Sequence, residues 1–159
     1  MSRASQRFGA LLACALLAAP LAGQAQAPSG TIYMGTYANK ILVIDEATLT
    51  LRDSIQMSIG IPTTMVLSTN RAHFYVLNPR HDQVETVDIA SRKTTGKFTL
   101  NTPNNTVQID GMNVDPKERF AILLVKVFTK LVDRYEISKP ILLRYDLARR
   151  RDLRRTMSR

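Results

Sequence analysis

The sequence has few of the residues that carry covalent, redox or metal chemistry. It contains one cysteine, two histidines, seven glycines and no tryptophan among 159 residues. Because the single cysteine, Cys14, lies in an apolar segment with the layout of a cleaved leader, the rest of the chain has no thiol for a disulfide, a nucleophile or a cysteine-ligated metal. Zinc-ligand spacings, phosphate-binding glycine loops and nucleophile elbows are also missing. We therefore predict no catalytic, cofactor-binding or metal-ligating residue and no cofactor.

Basic residues are in excess, but they are not spread evenly over the chain. The formal net charge is +9, and residues 149–159 alone hold six arginines against one aspartate. Residues 28–148 hold fourteen basic and twelve acidic side chains, which leaves a charge of only +2. Nucleic-acid binders usually carry a broad basic face with interleaved aromatic residues, and that pattern is missing from this body. The composition therefore predicts no nucleic-acid partner.

The amino terminus has the layout of a secretory signal peptide. Arg3 and Arg7 precede an apolar run over residues 8–22, and small residues follow at positions 23–27. A short basic region, an apolar core and a small-residue cleavage site are the three parts of such a leader. We predict cleavage after Ala25.

Two prolines support this interpretation of the leader. Cleavage after Ala27 would place Pro28 beside the scissile bond, where its ring should hinder the peptidase. Pro20 interrupts the apolar run, which is also shorter than the ~20 residues that a helix needs to cross a bilayer. We therefore predict a signal peptide over residues 1–25, a linker over 26–30, no stable membrane anchor, and a periplasmic or secreted protein.

The rest of the chain has the pattern of short β-strands. Apolar and β-branched runs are separated by turn-forming residues, and no stretch of the body sustains helical periodicity. The sequence therefore predicts an all-β fold. The predicted strands include residues 31–36, 40–45, 63–68, 73–77, 83–89 and 97–100.

The strand pattern recurs along the chain. Asp45 and Asp88 occupy the same place in two copies and are 43 residues apart, whereas Asp146 follows Asp88 by 58 residues because about fifteen residues are inserted in the third copy. Repeats of about 40 to 45 residues with four short strands each are typical of β-propeller blades. The matching segments are 32–36 with 41–48, 74–78 with 84–91, and 120–124 with 141–148.

The second copy resembles the Tyr-Val-Thr-Asn (YVTN) repeat. The likeness is carried by Phe74-Tyr75-Val76-Leu77-Asn78, then Val84 to Asp88, then Ala90-Ser91. That repeat is shared by lactonase-like propellers, archaeal surface-layer proteins and the quinoprotein amine dehydrogenase propeller superfamily. The resemblance covers residues 31–148 and implies four-stranded antiparallel blades. Leu77 stands where the repeat usually has Thr, and the turns at Asn70 and Glu118 lack the usual Gly.

The copies amount to about 2.7 blades, over residues 31–57, 63–100 and 107–148, and the last strand would fall in the basic tail at 149–159. Propellers close with about four to eight blades, so this chain cannot close a ring alone. Either the chain is the first part of a longer propeller, or several copies assemble into one ring. We favour the first interpretation, because the strand pattern stops abruptly at the arginine-rich tail.

Two groups of residues are candidates for special roles. Asp45, Asp88 and Asp146 each end a strand just before a turn, where a carboxylate can accept hydrogen bonds from the following amides, so we predict a structural role for them. Arg80, His81 and Asp82 lie in a loop between paired strands and could bind an anion or act in acid–base chemistry. A solvated turn remains the preferred interpretation of that loop, because no second titratable pair can be placed beside it.

The insertion at residues 126–140 mixes charges with Phe128 and Tyr135. It predicts an extended hairpin that either has no partner, forms a contact surface for a partner, or caps the central channel, and the hairpin without a partner is preferred.

The sequence predicts an exported propeller repeat protein that acts as a binding or scaffold module, and a role without catalysis is preferred over an enzyme. Its partner is an unknown protein or a small-molecule ligand, and missing blades or self-association must close the ring. Two alternatives stay open. One is a fragment of a lactonase-like or quinoprotein dehydrogenase-like propeller, and the other is a surface-layer type structural protein.

Overall fold

The structure is a computed structural model that describes residues 30–149 and 151–152. The predicted signal peptide, and all but the last residue of the predicted linker, lie outside the described residues. Within the described part, the regular structure consists of β-strands joined by turns. No helix in that part is long and apolar enough to cross a membrane.

The strands form three antiparallel sheets that follow one another along the chain. The first sheet contains β1 (Thr31–Thr36), β2 (Lys40–Asp45) and β3 (Leu51–Gln56); the second contains β4 (Thr64–Leu67), β5 (His73–Leu77), β6 (Gln83–Asp88) and β7 (Lys93–Thr99); the third contains β8 (Asn105–Val114), β9 (Phe120–Lys130), β10 (Tyr135–Ile137), β11 (Ile141–Asp146) and β12 (Arg151–Asp152). In the third sheet, β8 pairs with one edge of β9, while β10 and β11 pair in succession with its other edge.

This architecture confirms the predicted fold class, an all-β partial propeller. The first sheet has three strands, and the other two each have the width of four strands. Strand order follows chain order in the first two sheets, and in the third the chain passes from β8 through β9 and β11 to β12. The three sheets do not close into a ring.

Among the six strands predicted by range, the observed bounds stay close to the prediction, and the largest difference concerns β7. It begins at Lys93 rather than at residue 97. Thr94 pairs with Val87 and Gly96 pairs with Thr86, with a bulge between them that lets the strand continue. A bulge adds one residue to a strand without ending the pairing, so the regular alternation expected from the sequence is broken there.

The three repeat aspartates occupy the same register in each sheet. Asp45 pairs with Thr31, Asp88 with His73, and Asp146 with Phe120. Every position along β1, β5 and β9 therefore has a structural equivalent in the other two sheets. In the second and third sheets, we call the face that points toward the preceding sheet the leading face, and the opposite one the trailing face. In the first sheet, the leading face is the one that carries the equivalent positions.

The trailing face of the first sheet packs on the leading face of the second. Ile41 and Val43 from β2 meet Phe74 and Val76 from β5 in a buried apolar cluster. Gly35 lies on the same trailing face, where a Cβ atom would stand 2.4 Å from the carbonyl oxygen of Pro62. A glycine is therefore required for the approach of the chain that connects the first sheet to the second.

The trailing face of the second sheet packs on the leading face of the third in a second cluster. Tyr75 and Leu77 from β5 meet Ala121 and Leu123 from β9, together with Tyr145 from β11. Because side chains alternate between the two faces of a strand, β5 and β6 each contribute even positions to one cluster and odd positions to the other. The second sheet is thus covered on both faces.

The two end faces are uncovered and carry large apolar side chains. Ile32 and Met34 are exposed on the leading face of the first sheet, and Ile122, Leu124 and Leu142 are exposed on the trailing face of the third. Large apolar patches of this kind mark interaction surfaces or aggregation hazards.

Candidate functional site

The predicted loop candidates lie between β5 and β6, and Asp82 is the buried member of the three. Its carboxylate accepts hydrogen bonds from the amide of Asn78, at 2.7 Å, and from the amide of Asn101, at 3.1 Å. The guanidinium of Arg80 is exposed and its Nε lies 3.7 Å from Asp82 Oδ2. The structure therefore brings Arg80 and Asp82 together, but the carboxylate is already bound by two amides.

His81 takes part in this loop through its backbone. Its φ angle is 55°, and its carbonyl oxygen accepts a hydrogen bond from the backbone N–H of Ile109, at 2.8 Å. Asn101 extends the same connection, since its Oδ1 accepts from the backbone N–H of Val107 at 2.7 Å. Ile109 and Val107 belong to β8, so the loop joins the second sheet to the third. A structural role accounts for these contacts without any ligand.

The three repeat aspartates each bind their own turn. Asp45 Oδ1 accepts from the backbone N–H of Thr48 at 2.7 Å, and Asp88 Oδ1 accepts from that of Ser91 at 2.7 Å. In the same way, Asp146 Oδ1 accepts a hydrogen bond from the backbone N–H of Arg149, at 2.8 Å. Hydrogen bonds from Ser91 lower the pKa of Asp88, the side-chain bond being the larger cause. The structural role of the three repeat aspartates stays a prediction that substitution can test.

Asp45 differs from the other two because it is buried. Its second carboxylate oxygen pairs with the guanidinium of Arg52 in β3. The turn after β2 is therefore held both to its own backbone and to the neighbouring strand.

A pocket of about 210 Å³ lies between the second and third sheets. Its polar walls bring together Tyr75 from β5, Lys97 from β7, and Glu118 from the turn between β8 and β9. The full lining is Tyr75, Thr86, Thr95, Gly96, Lys97, Phe98, Glu118, Leu147 and Ala148.

Glu118 is the electrostatic centre of this pocket. Burial alone would raise its pKa, but the hydrogen bond from Tyr75 and the interactions with His73 and Asn70 outweigh that effect and hold the pKa below its usual range. The Tyr75 hydroxyl donates to Glu118 Oε2 at 2.7 Å, and His73 Nδ1 lies 2.8 Å from the same oxygen. The pKa of Tyr75 is raised, first by burial and then by its bond to Glu118. At neutral pH the pocket therefore holds a carboxylate and a neutral phenol.

Sequence reasoning missed Tyr75 and Glu118 as partners. The one signal was the turn at Glu118, noted as lacking the usual glycine; the structure gives this residue a φ of 53°. That backbone conformation places a non-glycine residue in the left-handed region, where such residues are uncommon. Among the described residues, no group of three His, Cys, Asp or Glu side chains is arranged to hold a metal ion.

The insertion forms an extension of the third sheet. β9 continues to Lys130 and pairs there with β10, and the two are joined by a turn in which Leu131 N–H donates to the Arg134 carbonyl at 2.8 Å. Tyr135 and Ile137 are exposed on β10. This is the geometry of an extended hairpin with an apolar face.

Comparison with known proteins finds a likeness in fold. No family model matches the chain, and no curated protein matches it. Among solved structures, it is similar to dihydro-heme d1 dehydrogenase NirN in complex with DHE, with 14% identity and a TM-score of 0.50 over 78% of this chain and 27% of that one. It is also similar to Kuenenia stuttgartiensis hydrazine synthase, with 13% identity and a TM-score of 0.47 over 78% of this chain and 45% of that one.

The chain thus spans less than half the length of either structure. Both of those proteins contain β-propellers. The likeness to NirN agrees with the partial propeller seen in the strand pairing.

Proposed function

We propose that this chain is an exported propeller segment that acts as a binding or scaffold module, and that its end faces bind further propeller sheets. The observation that carries the proposal is the contrast between Leu124, exposed on the trailing face of the third sheet, and Leu77, its buried equivalent in the second. The same position is covered wherever a following sheet is present. The pattern of a signal peptide in residues 1–25 supports export.

Export can be tested by expressing the chain with a carboxy-terminal tag in a Gram-negative bacterium and fractionating the cells. We expect the tagged protein in the periplasm or medium, with Gln26 as its first residue by amino-terminal sequencing. The control is Leu16→Arg, which places a charge in the apolar run and should retain the unprocessed chain in the cytoplasm. Full-length wild-type chain confined to the cytoplasm would contradict export.

The scaffold role can be tested by photo-crosslinking in the cells that produce the protein. With p-benzoylphenylalanine in place of Leu124, we expect a crosslinked product whose second peptide, by mass spectrometry, comes from a propeller sheet. The matched control carries the crosslinker in place of Val132, which is fully exposed in the turn after β9 and lies off the end face. Equal yields at the two positions, or no product at Leu124, would contradict the proposal.

A redox propeller is the second candidate, and the likeness to NirN is the observation in its favour. The printed name of that protein describes a dehydrogenase, but an identity of 14% extends the likeness to fold and no further. We therefore prefer the scaffold role. An absorption spectrum of the purified protein would decide between them: a stoichiometric Soret band would favour the redox alternative, and its absence would favour the scaffold.

A further inference from the structure

The leading faces of the first two sheets are equivalent position by position but differ in burial. In the second sheet Phe74 is 9% exposed and Val76 is fully buried, because the first sheet covers them. Their equivalents in the first sheet, Ile32 and Met34, are 41% and 46% exposed. The first sheet therefore presents, uncovered, the apolar surface on which a preceding propeller sheet packs.

The trailing faces of the last two sheets show the same contrast. Tyr75 and Leu77 are 3% and 2% exposed beneath the third sheet. Their equivalents in the third sheet, Ile122 and Leu124, are 38% and 37% exposed. The third sheet therefore presents the surface on which a following propeller sheet packs.

Two charged side chains on this trailing face have partners within their own sheet. Lys126 Nζ lies 2.8 Å from Asp110 Oδ2, and the Arg144 guanidinium stacks 4.0 Å from the centre of the Phe120 ring. Covering Lys126 therefore does not bury an unpaired charge, which would be costly, and the guanidinium of Arg144 lies against an aromatic ring.

One chain carries both halves of the contact between sheets, a leading face at one end and a trailing face at the other. Contacts between unlike surfaces join copies head to tail, and they form a closed ring when the rotation between copies allows it. The described residues form three sheets, which are fewer than the smallest closed propeller needs; two copies supply six such sheets, and three copies would supply nine. Propellers typically have about four to eight blades, so two copies is the number that fits.

We propose that a second copy of this chain covers both end faces, so that two copies form a closed six-sheet ring. This inference rests on the proposed function and names the partner. Each copy packs the Met34 face of its first sheet on the Leu124 face of the other copy's third sheet, so the ring contains two identical contacts.

The test measures mass by light scattering on the exported, processed chain over a wide range of concentrations. We expect the wild type to have twice the mass of one chain. Met34→Asp and Leu124→Asp each disrupt both contacts and should halve the mass. The matched control Val132→Asp, away from the end faces, should keep the mass of the wild type. Far-ultraviolet circular dichroism establishes that the variants retain their strands.

Mixing the two variants gives the decisive result. A Met34→Asp chain keeps an intact third sheet, and a Leu124→Asp chain keeps an intact first sheet, so one unmodified contact can form between them. We expect a one-to-one dimer in the mixture, although each variant alone is monomeric. If instead Leu124→Asp disrupts the dimer while Met34→Asp leaves it intact, the contact joins like surfaces and the head-to-tail ring is wrong.

Two further outcomes separate this inference from the proposed function. A wild-type monomer at every concentration, combined with a Leu124 crosslink to another propeller chain, would overturn the second copy and retain the scaffold role. A wild-type monomer without any such crosslink would overturn both.

Discussion

The hydroxyl of Tyr75 and the carboxylate of Glu118 form a 2.7 Å hydrogen bond between the second sheet and the third. Tyr75 lies in the middle of β5, whereas Glu118 lies in the turn that leads into β9. A bond to a charged acceptor is stronger than one between neutral groups, and partial burial strengthens it further. This pair therefore fixes how the turn of one sheet sits on the face of its neighbour.

Removing the hydroxyl tests the contribution of this bond. We expect Tyr75→Phe to lower the free energy of unfolding by about 1.5–3 kcal/mol, because Glu118 loses a donor in a partly buried setting. The control is Tyr33→Phe at the equivalent position in the first sheet, where the ring packs edge-on against Phe74 with centroids 4.8 Å apart. Urea unfolding at pH 7 measures both. Equal effects of the two substitutions would show that the Tyr75 bond adds nothing specific.

The lowered pKa values predict acid sensitivity. The pKa of Glu118 lies below 4.5, and hydrogen bonds from Arg119 hold the pKa of Asp115 at about 2 instead of 3.8. In the unfolded chain these groups take up protons at higher pH than in the folded protein. The free energy of unfolding should therefore be fully retained above about pH 4.5 and fall progressively as the pH decreases toward about 2.

A single substitution separates the contribution of Glu118 to this acid sensitivity from the contributions of other carboxylates. In Glu118→Gln, stability at pH 7 should be lower than in the wild type, and its decline below about pH 4.5 should be shallower, because one of the protonating groups is gone. Glu136→Gln, on exposed β10, is the control with the same change in charge. Urea unfolding across this pH range is the measurement, and parallel curves for wild type and Glu118→Gln would contradict the assignment.

The fold could be predicted because its signals are local. A strand, a turn and the next strand are encoded within a few residues, as in the turn after Asp88, where Ser91 donates both its backbone N–H and its hydroxyl to one carboxylate oxygen. Recurrence of that pattern at Asp45 and Asp146 was enough to define repeated sheets. The repeat interval then indicated a propeller, because few other folds repeat four short strands at this spacing.

The pocket could not be predicted because its residues are brought together by sheet stacking. Tyr75 and Glu118 are separated by 43 positions, and no sequence rule says which turn of one sheet reaches which strand of the next. The same limit applies to Asp82. The sequence places it in a loop, while its burial depends on Asn101, which arrives from the connection between β7 and β8.

Substitutions at Asp82 and His81 distinguish a structural role for this loop from a role in binding or catalysis. Asp82→Ala should lower the free energy of unfolding by about 1–3 kcal/mol, because the buried amide of Asn78 and the half-buried amide of Asn101 lose their acceptor. His81→Gly should leave stability unchanged or raise it slightly, since glycine adopts a φ of 55° without strain and the backbone carbonyl is kept. Thermal and urea unfolding measure both. A large loss in His81→Gly with little change in Asp82→Ala would contradict a structural role for this loop.

Two adjacent leucines in β9 report directly on which faces of the third sheet are covered. Leu123 is fully buried against the second sheet, whereas Leu124 points to the uncovered trailing face. We expect Leu123→Ala to lower the free energy of unfolding by about 2–5 kcal/mol, because it leaves a cavity in a packed core. Leu124→Ala removes the same atoms and should cost far less under conditions where the chain is monomeric.

The concentration dependence of unfolding completes the comparison. A contact between copies stabilises the folded state by mass action, so the cost of Leu124→Ala should grow as protein concentration rises, while the cost of Leu123→Ala stays constant. Urea unfolding at low and high protein concentration measures both trends. A cost for Leu124→Ala that is as large as that of Leu123→Ala in dilute solution would mean that the trailing face of the third sheet is packed within a single chain, and that the end-face account is wrong.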